Sequence, residues 1–392
     1  YASYKWPRWI NSRSDTYKNF VGPVVAAMEK ILFAMPEFIK KVPADCRATL
    51  IIETLGRLRG VTVASDYTSF ESTHTAQVLQ AVVAVVYTYM GSANPEAMAV
   101  IREHLRVRSS PQLLKSRHFL LRMMPILMSG EMDTSLNNGL FNLICFMFIT
   151  SEKCAALGIP FDITAQYGFV EGDDGLFVVP SGSQPTVADF ADVGADCKIE
   201  YPESIALASF CGNIVDVESH TLMYDPVKFL YTFPYTGKAD VNAGPKRRLE
   251  LIVAKAMSYA HMYNGCPVIS PIAWGVIRRY SDVDPTQMLV RNRTMGVWAR
   301  EIALAAASYV KTHEERPVAL TSRVLVERLY HVSAYEQERL ETTVPFMDVD
   351  GMYSIAVSPH PDVSHFTSTH VASHPVTRSG ERRSHWLHGF FN

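Results

Sequence analysis

Two kinds of apolar pattern alternate along the chain. Helical spacing of apolar positions runs from about Phe20 to Ala34, returns in a long stretch that reaches about Met90, and dominates from about Pro245 to Leu340. Residues 134–150, TSLNNGLFNLICFMFIT, read as a mostly buried helix, and residues 187–193 as a short helix stopped by Gly194. Between these lie short segments of strand character. VTVASD at 61–66 ends on Asp66, and YGFVEGDDGLFVVP at 167–180 reads as two strands joined by a tight acidic, glycine-containing turn. KIE at 198–200 begins another strand, and ALASFCGNIVDV at 206–217 predicts a further hairpin turning near Gly212 and Asn213. No internal repeat is visible.

Composition narrows the field. With 392 residues, 48% hydrophobic and 19% charged, the chain can bury one large core or two or three smaller ones. A formal net charge of -2 argues against a protein that coats nucleic acid through bulk positive charge, while leaving room for a local basic channel. Residues 102–122 carry Arg102, Arg106, Arg108, Lys115, Arg117 and Arg122, which suit either a solvated face or a nucleic-acid contact. Six scattered cysteines without metal-binding spacing point to reduced thiols in a cytosolic setting. The apolar stretches around Val78 to Met90 and Gly139 to Ile149 fall short of the roughly 18 residues of a membrane span. The chain opens at Tyr1 without a methionine or a signal pattern, so a fragment of a longer polypeptide is expected. Six of the thirteen histidines lie between His360 and His388, in a segment rich in Ser, Thr and Pro. An irregular tail is expected there rather than a metal site.

The sharpest chemical feature is Gly172-Asp173-Asp174. A chance Gly-Asp-Asp occurs in about one chain of this length in fifteen, so its placement on a hairpin turn is what matters. There two adjacent carboxylates leave the pleat and can face a shared cation, with Asp173 expected as the firm ligand and Asp174 as an auxiliary one. Asp66 ends a strand about a hundred residues earlier. If the two strands are neighbours, Asp66 and Asp173 converge and can clamp two Mg²⁺ or Mn²⁺ ions for in-line phosphoryl displacement.

Between these acids lies Ser129-Gly130-Glu131-Met132-Asp133-Thr134, followed by Asn138. Thr134 and Asn138 lie four apart on one helical face. Ordinary capping accounts for the serine or threonine, but not for Asn138 inside an apolar helix. A buried amide there wants a partner, and Glu71, five residues after Asp66, is the candidate.

The order D-x4-E, S-G-x3-T-x3-N, G-D-D, then Lys198 and Phe210-Cys211-Gly212 resembles motifs A to E of viral RNA-dependent RNA polymerases. The opening Pro7-Arg8-Trp9-Ile10-Asn11-Ser12-Arg13 looks like motif F. SGEMDTSLNN and PRWINSR are similar to the versions carried by tombusvirus-like and noda-like positive-strand RNA viruses. By motif the resemblance covers roughly residues 5–216, and RLELIVAKAMSYAHMYNGCPV looks like the start of a thumb.

The resemblance implies an α+β, right-hand fold. Fingers would occupy 1–60 and an insertion at 76–115, the palm 61–75 and 116–230, a helical thumb 231–345, and an irregular tail 346–392. It implies that Asp66, Asp173 and Asp174 hold two Mg²⁺ or Mn²⁺ ions, and that Lys198 protonates departing pyrophosphate. Glu71, Ser129, Gly130, Thr134 and Asn138 would bind and sense the ribose, and Lys5, Arg8 and Arg13 the triphosphate. Phe210, Cys211 and Gly212 would support the growing 3′ end. Implied partners are template and nascent RNA, nucleoside triphosphates, membrane-bound viral replication proteins and host factors, in the host cytoplasm at membrane-associated replication complexes.

Two features depart from the family pattern. The second acid of motif A is more often Asp than Glu, and the lysine upstream of the motif F arginine is represented only by Lys5. Bland readings stand beside the functional ones: Arg8 and Arg13 as surface charges, Lys198 as a strand-edge lysine, Cys211 and His74 as packing residues. Two rivals share the palm logic. A reverse transcriptase would more often carry an aromatic two residues before the acidic pair, where this chain has Glu171 and Gly172. An inactive RNA-binding scaffold would not need every motif acid.

Overall fold

Ser14 sets the start of the first helix, because its side chain accepts from the Tyr17 amide and satisfies one of the free N–H groups of the first turn. Helix α1 (Asp15–Leu32) therefore begins before Phe20, and it buries Val21, Val25, Met28 and Leu32 along one face. The computed structural model describes residues 10–116, 118–234, 240, 243–292 and 295–347. These fall into two compact units, one formed by residues 10–43 and 50–211, the other by 44–49 and 212–347.

In the first unit α1 is followed by α2 (Ala44–Leu55), through which the division passes, and by β1 (Val61–Tyr67). The long helical stretch then appears as α3 (Ala76–Val78), a π-helical turn at Leu79–Val83 and α4 (Ala84–Gly91). Asn94 caps α5 (Pro95–Arg108), which leads into a two-stranded hairpin, β2 (Gln112–Lys115) and β3 (Leu120–Met123). Next come α6 (Thr134–Leu157), β4 (Gly168–Glu171) and β5 (Asp174–Val179). A Thr186/Asp189 capping box starts α7 (Val187–Asp192), Gly194 follows it at φ +81°, and β6 (Cys197–Glu200) completes the unit.

The four-stranded sheet has the order β4-β5-β1-β6, with every neighbouring pair antiparallel. Strand alternation puts Val63, Ser65 and Tyr67 on one face of β1 and Asp66 on the other. Helix α6 packs under the first face, where the Phe146 ring stacks on Phe177 at 3.6 Å between centroids. By length and composition α6 is apolar enough to cross a membrane, a property missed by counting only Gly139 to Ile149. Yet 56% of its apolar window is buried inside the fold, and Asn137, Asn138 and Asn142 lie buried within it, as in a core helix.

The basic stretch after Arg102 divides between a helix end and the β2–β3 hairpin. Arg108 is only 3% exposed, so for this residue neither a solvated face nor an open nucleic-acid contact holds. None of the six cysteines is in a disulfide.

The second unit opens with a hairpin of β7 (Asn213–Asp216) and β8 (Thr221–Tyr224). The turn lies at residues 217–220, not at Gly212 and Asn213, because Asp216 accepts from the Glu218 and Ser219 amides and from the Ser219, Thr321 and Ser322 hydroxyls. Helices follow: α8 (Pro226–Thr232), α9 (Pro245–Met262), α10 (Ile269–Arg279), α11 (Thr286–Arg291), α12 (Val297–Tyr309), α13 (Leu320–Tyr330) and α14 (Ala334–Thr343). Helix α9 packs on α10 and α12, and the Asn264 side chain ties Ser270, Trp274, Tyr309 and the 314–316 backbone together. The described residues thus form a mixed helix and strand fold with antiparallel sheets, compatible with the α+β class. The histidine-rich tail, Lys5 and Arg8 lie outside the described residues.

Candidate active site

The predicted acidic turn is present and short. Glu171 pairs with Asp174 across β4 and β5, leaving Gly172 and Asp173 as a two-residue loop. Gly172 has φ +65°, the backbone state a tight hairpin turn demands and a side chain disfavours. Asp66 pairs with Lys198 on β6, and one step beyond the Ser65–Gly175 pair it lies across from Asp174 on β5. Directly opposed residues of antiparallel strands share a face. Glu171, Asp174, Asp66 and Lys198 therefore form one transverse row at the end of the sheet, on the face away from α6, with Asp173 in the turn at its side.

The electrostatics agree with that row. Burial, then the neighbouring charges of Asp173 and Asp66, push the Asp174 carboxyl up to about 6; Cys211 works the other way by a hydrogen bond, and Glu171 adds to the rise. Cys211, at φ +52°, points its thiol at Glu171 Oε2, 3.7 Å away, so it borders the acids rather than merely filling space. Phe210 is buried beside it in the chain, and Gly212 begins the other unit. The Lys198 ammonium is exposed and bonds Glu200 at 2.6 Å; that bond, and more weakly Asp66, hold its pKa above the usual lysine value.

Whether the acids suit a divalent cation is a question of donor chemistry. Hard carboxylate oxygens, crowded enough here to push the Asp174 carboxyl up, are the donors Mg²⁺ or Mn²⁺ prefers. They form a row rather than a closed cage: among the described residues no three His, Cys, Asp or Glu side chains gather into a ready-made ion site.

Beneath the turn stands a residue the sequence reading passed over. Asn142 Nδ2 donates to the Asp173 carbonyl at 3.1 Å and to the Gly172 carbonyl at 3.4 Å, while its Oδ1 accepts from the Tyr67 hydroxyl at 3.1 Å. It thereby locks the turn to β1 and α6. Its signal was available, since Asn142 follows Thr134 and Asn138 at the same four-residue interval.

The Ser129–Asn138 element leads into α6. The Ser129 carbonyl accepts from the Asn11 amide at 2.7 Å. Gly130 sits at φ +103°, where a Cβ would meet Ile10 at 2.6 Å, so the 10–13 segment can lie against this loop only over a glycine. The Thr134 hydroxyl lies 3.0 Å from the carbonyls of both Met128 and Glu131 and closes the loop on itself. Asn138 is 4% exposed and its Oδ1 has no partner. The expected bond to Glu71 does not form: Glu71 sits half-buried in a 3-10 turn at Phe70–Thr73. His74 is buried between Phe70 and Phe141 with both ring nitrogens unpartnered, and burial pushes its pKa down to about 3, so it is neutral packing.

Arg13 does not project openly into solvent. Its Nη2 and Nε reach Glu131 Oε1 at 2.6 and 3.1 Å, and its guanidinium lies over the Tyr17 ring. Glu131 belongs to a buried ionic cluster that the sequence did not reveal. Asp133 Oδ2 receives Arg108 Nη1 at 3.0 Å, His104 Nε2 at 2.9 Å and the Tyr87 hydroxyl at 3.0 Å, and Arg108 Nε lies 3.6 Å from Glu131. Tyr17 extends the chain with its hydroxyl 2.7 Å from His104 Nδ1. Burial alone would raise the Asp133 carboxyl, but Arg108 and His104 overcome it and hold it well below the usual range.

No protein-family model matches the chain, and no curated protein matches it either.

Proposed function

We propose that this chain is an RNA-dependent RNA polymerase of right-hand architecture, replicating the genome of a positive-strand RNA virus. The observation that carries the proposal is the pairing of the Gly-Asp-Asp turn with Asp66. Two acids about a hundred residues apart in sequence stand side by side in one row, over a helix that begins with the Ser129–Asn138 element. On this reading Asp66, Asp173 and Asp174 hold two Mg²⁺ or Mn²⁺ ions. When bound, such ions supply activation of an RNA 3′-hydroxyl and charge stabilisation of the leaving oxygen.

The chain's own residues do the rest. Asn142 keeps the acidic turn in place without adding charge. The 3′-hydroxyl gives its proton to water as its oxygen bonds the α-phosphorus of the nucleoside triphosphate and the bond to pyrophosphate breaks, and Lys198, charged at neutral pH, gives a proton to the departing pyrophosphate. Arg13 meets the triphosphate, the unpartnered Asn138 Oδ1 is an acceptor for a ribose hydroxyl near Ser129 and Thr134, and Phe210 and Cys211 flank the product end. Helices α9 to α14 are the candidate thumb. Template pairing provides sequence choice, and the setting is a membrane-associated replication complex in the host cytoplasm.

The test is single-nucleotide incorporation on a primed RNA template with Mg²⁺ by the purified chain. Template-directed NTP addition is expected, with dNTP used poorly, and Asp173→Asn should lower the rate by about three orders of magnitude. Absence of incorporation by the unaltered chain, or an active Asp173→Asn variant, would sink the reading; preference for dNTP would turn it toward a reverse transcriptase.

A further inference from the structure

We infer that Glu131 is a positioning residue for Arg13, and that Arg108 and Asp133 make this tether exchangeable. The inference rests on the polymerase reading for its ligand, the triphosphate of an incoming nucleotide. It rests on geometry for the tether itself. Both nitrogens of Arg13 that bond Glu131 use a single oxygen, Oε1, and the Arg13 side chain stays 21% exposed while that of Glu131 is only 2% exposed. One edge of the guanidinium is thus fixed by a buried carboxylate and another remains open to a ligand. Rigid guanidinium orientation of this kind is what a phosphate-binding arginine requires.

A buried carboxylate that releases its arginine would be left unpaired, at high cost. Here a replacement stands ready. Arg108 Nε is 3.6 Å from Glu131 Oε2, an oxygen with no hydrogen-bond partner, while Arg108 Nη1 stays on Asp133. As a triphosphate draws Arg13 outward, Arg108 closes the remaining gap and keeps Glu131 neutralised. His104 and Tyr87, bonded to the same Asp133 oxygen, hold Asp133 while Arg108 shifts. The loop that carries Glu131 also takes the Asn11 amide on Ser129, so position 13 is fixed by backbone and side chain together.

The experiment compares the unaltered chain with Arg13→Ala, Glu131→Gln and the double variant, reading KM for NTP and kcat separately on a primed template. Arg13→Ala should raise KM about tenfold and Glu131→Gln about fivefold, with kcat within about twofold. The double variant should be no worse than Arg13→Ala, because Glu131 acts through Arg13. Multiplying effects, or a Glu131→Gln defect confined to kcat, would overturn the inference. Should Glu131→Gln fail to fold, Glu131→Asp takes its place, with the same KM rise at smaller size expected. A second readout needs no activity: the Arg13 Nε–H signal in ¹⁵N NMR should be protected in the unaltered chain and shift on adding inorganic triphosphate. An exchanging signal in the unaltered chain overturns the tether. A protected signal in a chain that incorporates no nucleotide leaves the tether standing and fells the polymerase reading instead.

Discussion

Two groups of acids lie in the same unit and have opposite electrostatic fates. At the end of the sheet Glu171, Asp174 and Asp66 stand in a row with one lysine, and that lysine is bonded to Glu200; Asp174 is pushed up to about 6. At the start of α6, Glu131 and Asp133 are more deeply buried, yet Asp133 is held low, because Arg13, Arg108 and His104 close around the pair. Burial alone would predict the opposite order; what separates Asp133 from Asp174 is the charge of the neighbours, cations around Asp133 and the carboxylates of Asp173 and Asp66 beside Asp174. Where cations close around a buried acid it serves structure; where acids crowd one another, as around Asp174, the perturbed carboxyl marks a candidate site.

The strongest way to break this comparison is Asp133→Asn. The substitution keeps the shape but leaves Arg108 buried with less than its full counter-charge, so a loss of about 3–5 kcal/mol is expected by urea unfolding at neutral pH. The sign with pH follows from the depressed carboxyl. Its contribution is present above the unfolded-state value and fades only as pH falls through the lower folded value, so the gap between variant and parent should stay level from about pH 5 to pH 8. A loss under about 1 kcal/mol would mean that the cluster is not a structural counterpart to the acidic row.

Next in size is Asn142→Ala, which removes the neutral support under the acidic turn. It strands the buried Tyr67 hydroxyl and frees the Gly172 and Asp173 carbonyls, for an expected cost of about 2 kcal/mol. Faster hydrogen exchange should be confined to the β4–β5 turn. Exchange spreading instead through all of α6 would show that Asn142 serves the helix rather than the turn.

These two residues also show what the sequence could and could not reveal. The acidic hairpin was legible because its determinants are local: strand alternation on both sides and a glycine where the turn needs positive φ. The helix under it was legible from its apolar run, and Asn142 lay at a readable interval, but its task depended on the sheet above it. The ionic cluster was not legible. Its bonds join residues 118 and 25 positions apart, and Arg108 in sequence looks like one more cation of a solvated basic stretch. The β7–β8 turn was misplaced for the same kind of reason, since the hydroxyls that fix Asp216 come from Thr321 and Ser322, about a hundred residues away.

The smallest expected effect gives the sharpest test of the row itself. Asp174→Asn removes a carboxyl whose folded value, about 6, lies above its ordinary 3.8. For such a group the folded state holds its proton more tightly than the unfolded state, so stability declines as pH rises from about 4 to about 6 and the penalty is fully present above that. Asp174→Asn should therefore be more stable than the parent at pH 7.5, by on the order of 1–2 kcal/mol once its partial exposure is allowed for, and level with it near pH 4. Adding Mg²⁺ or Mn²⁺ at pH 7.5 should raise the melting temperature of the parent and narrow the gap, because an ion that binds the folded row offsets the same repulsion. A variant less stable than the parent at pH 7.5, or a gap that divalent ions leave untouched, would mean that the row is already compensated by the chain, and the contrast between the two acid groups would collapse.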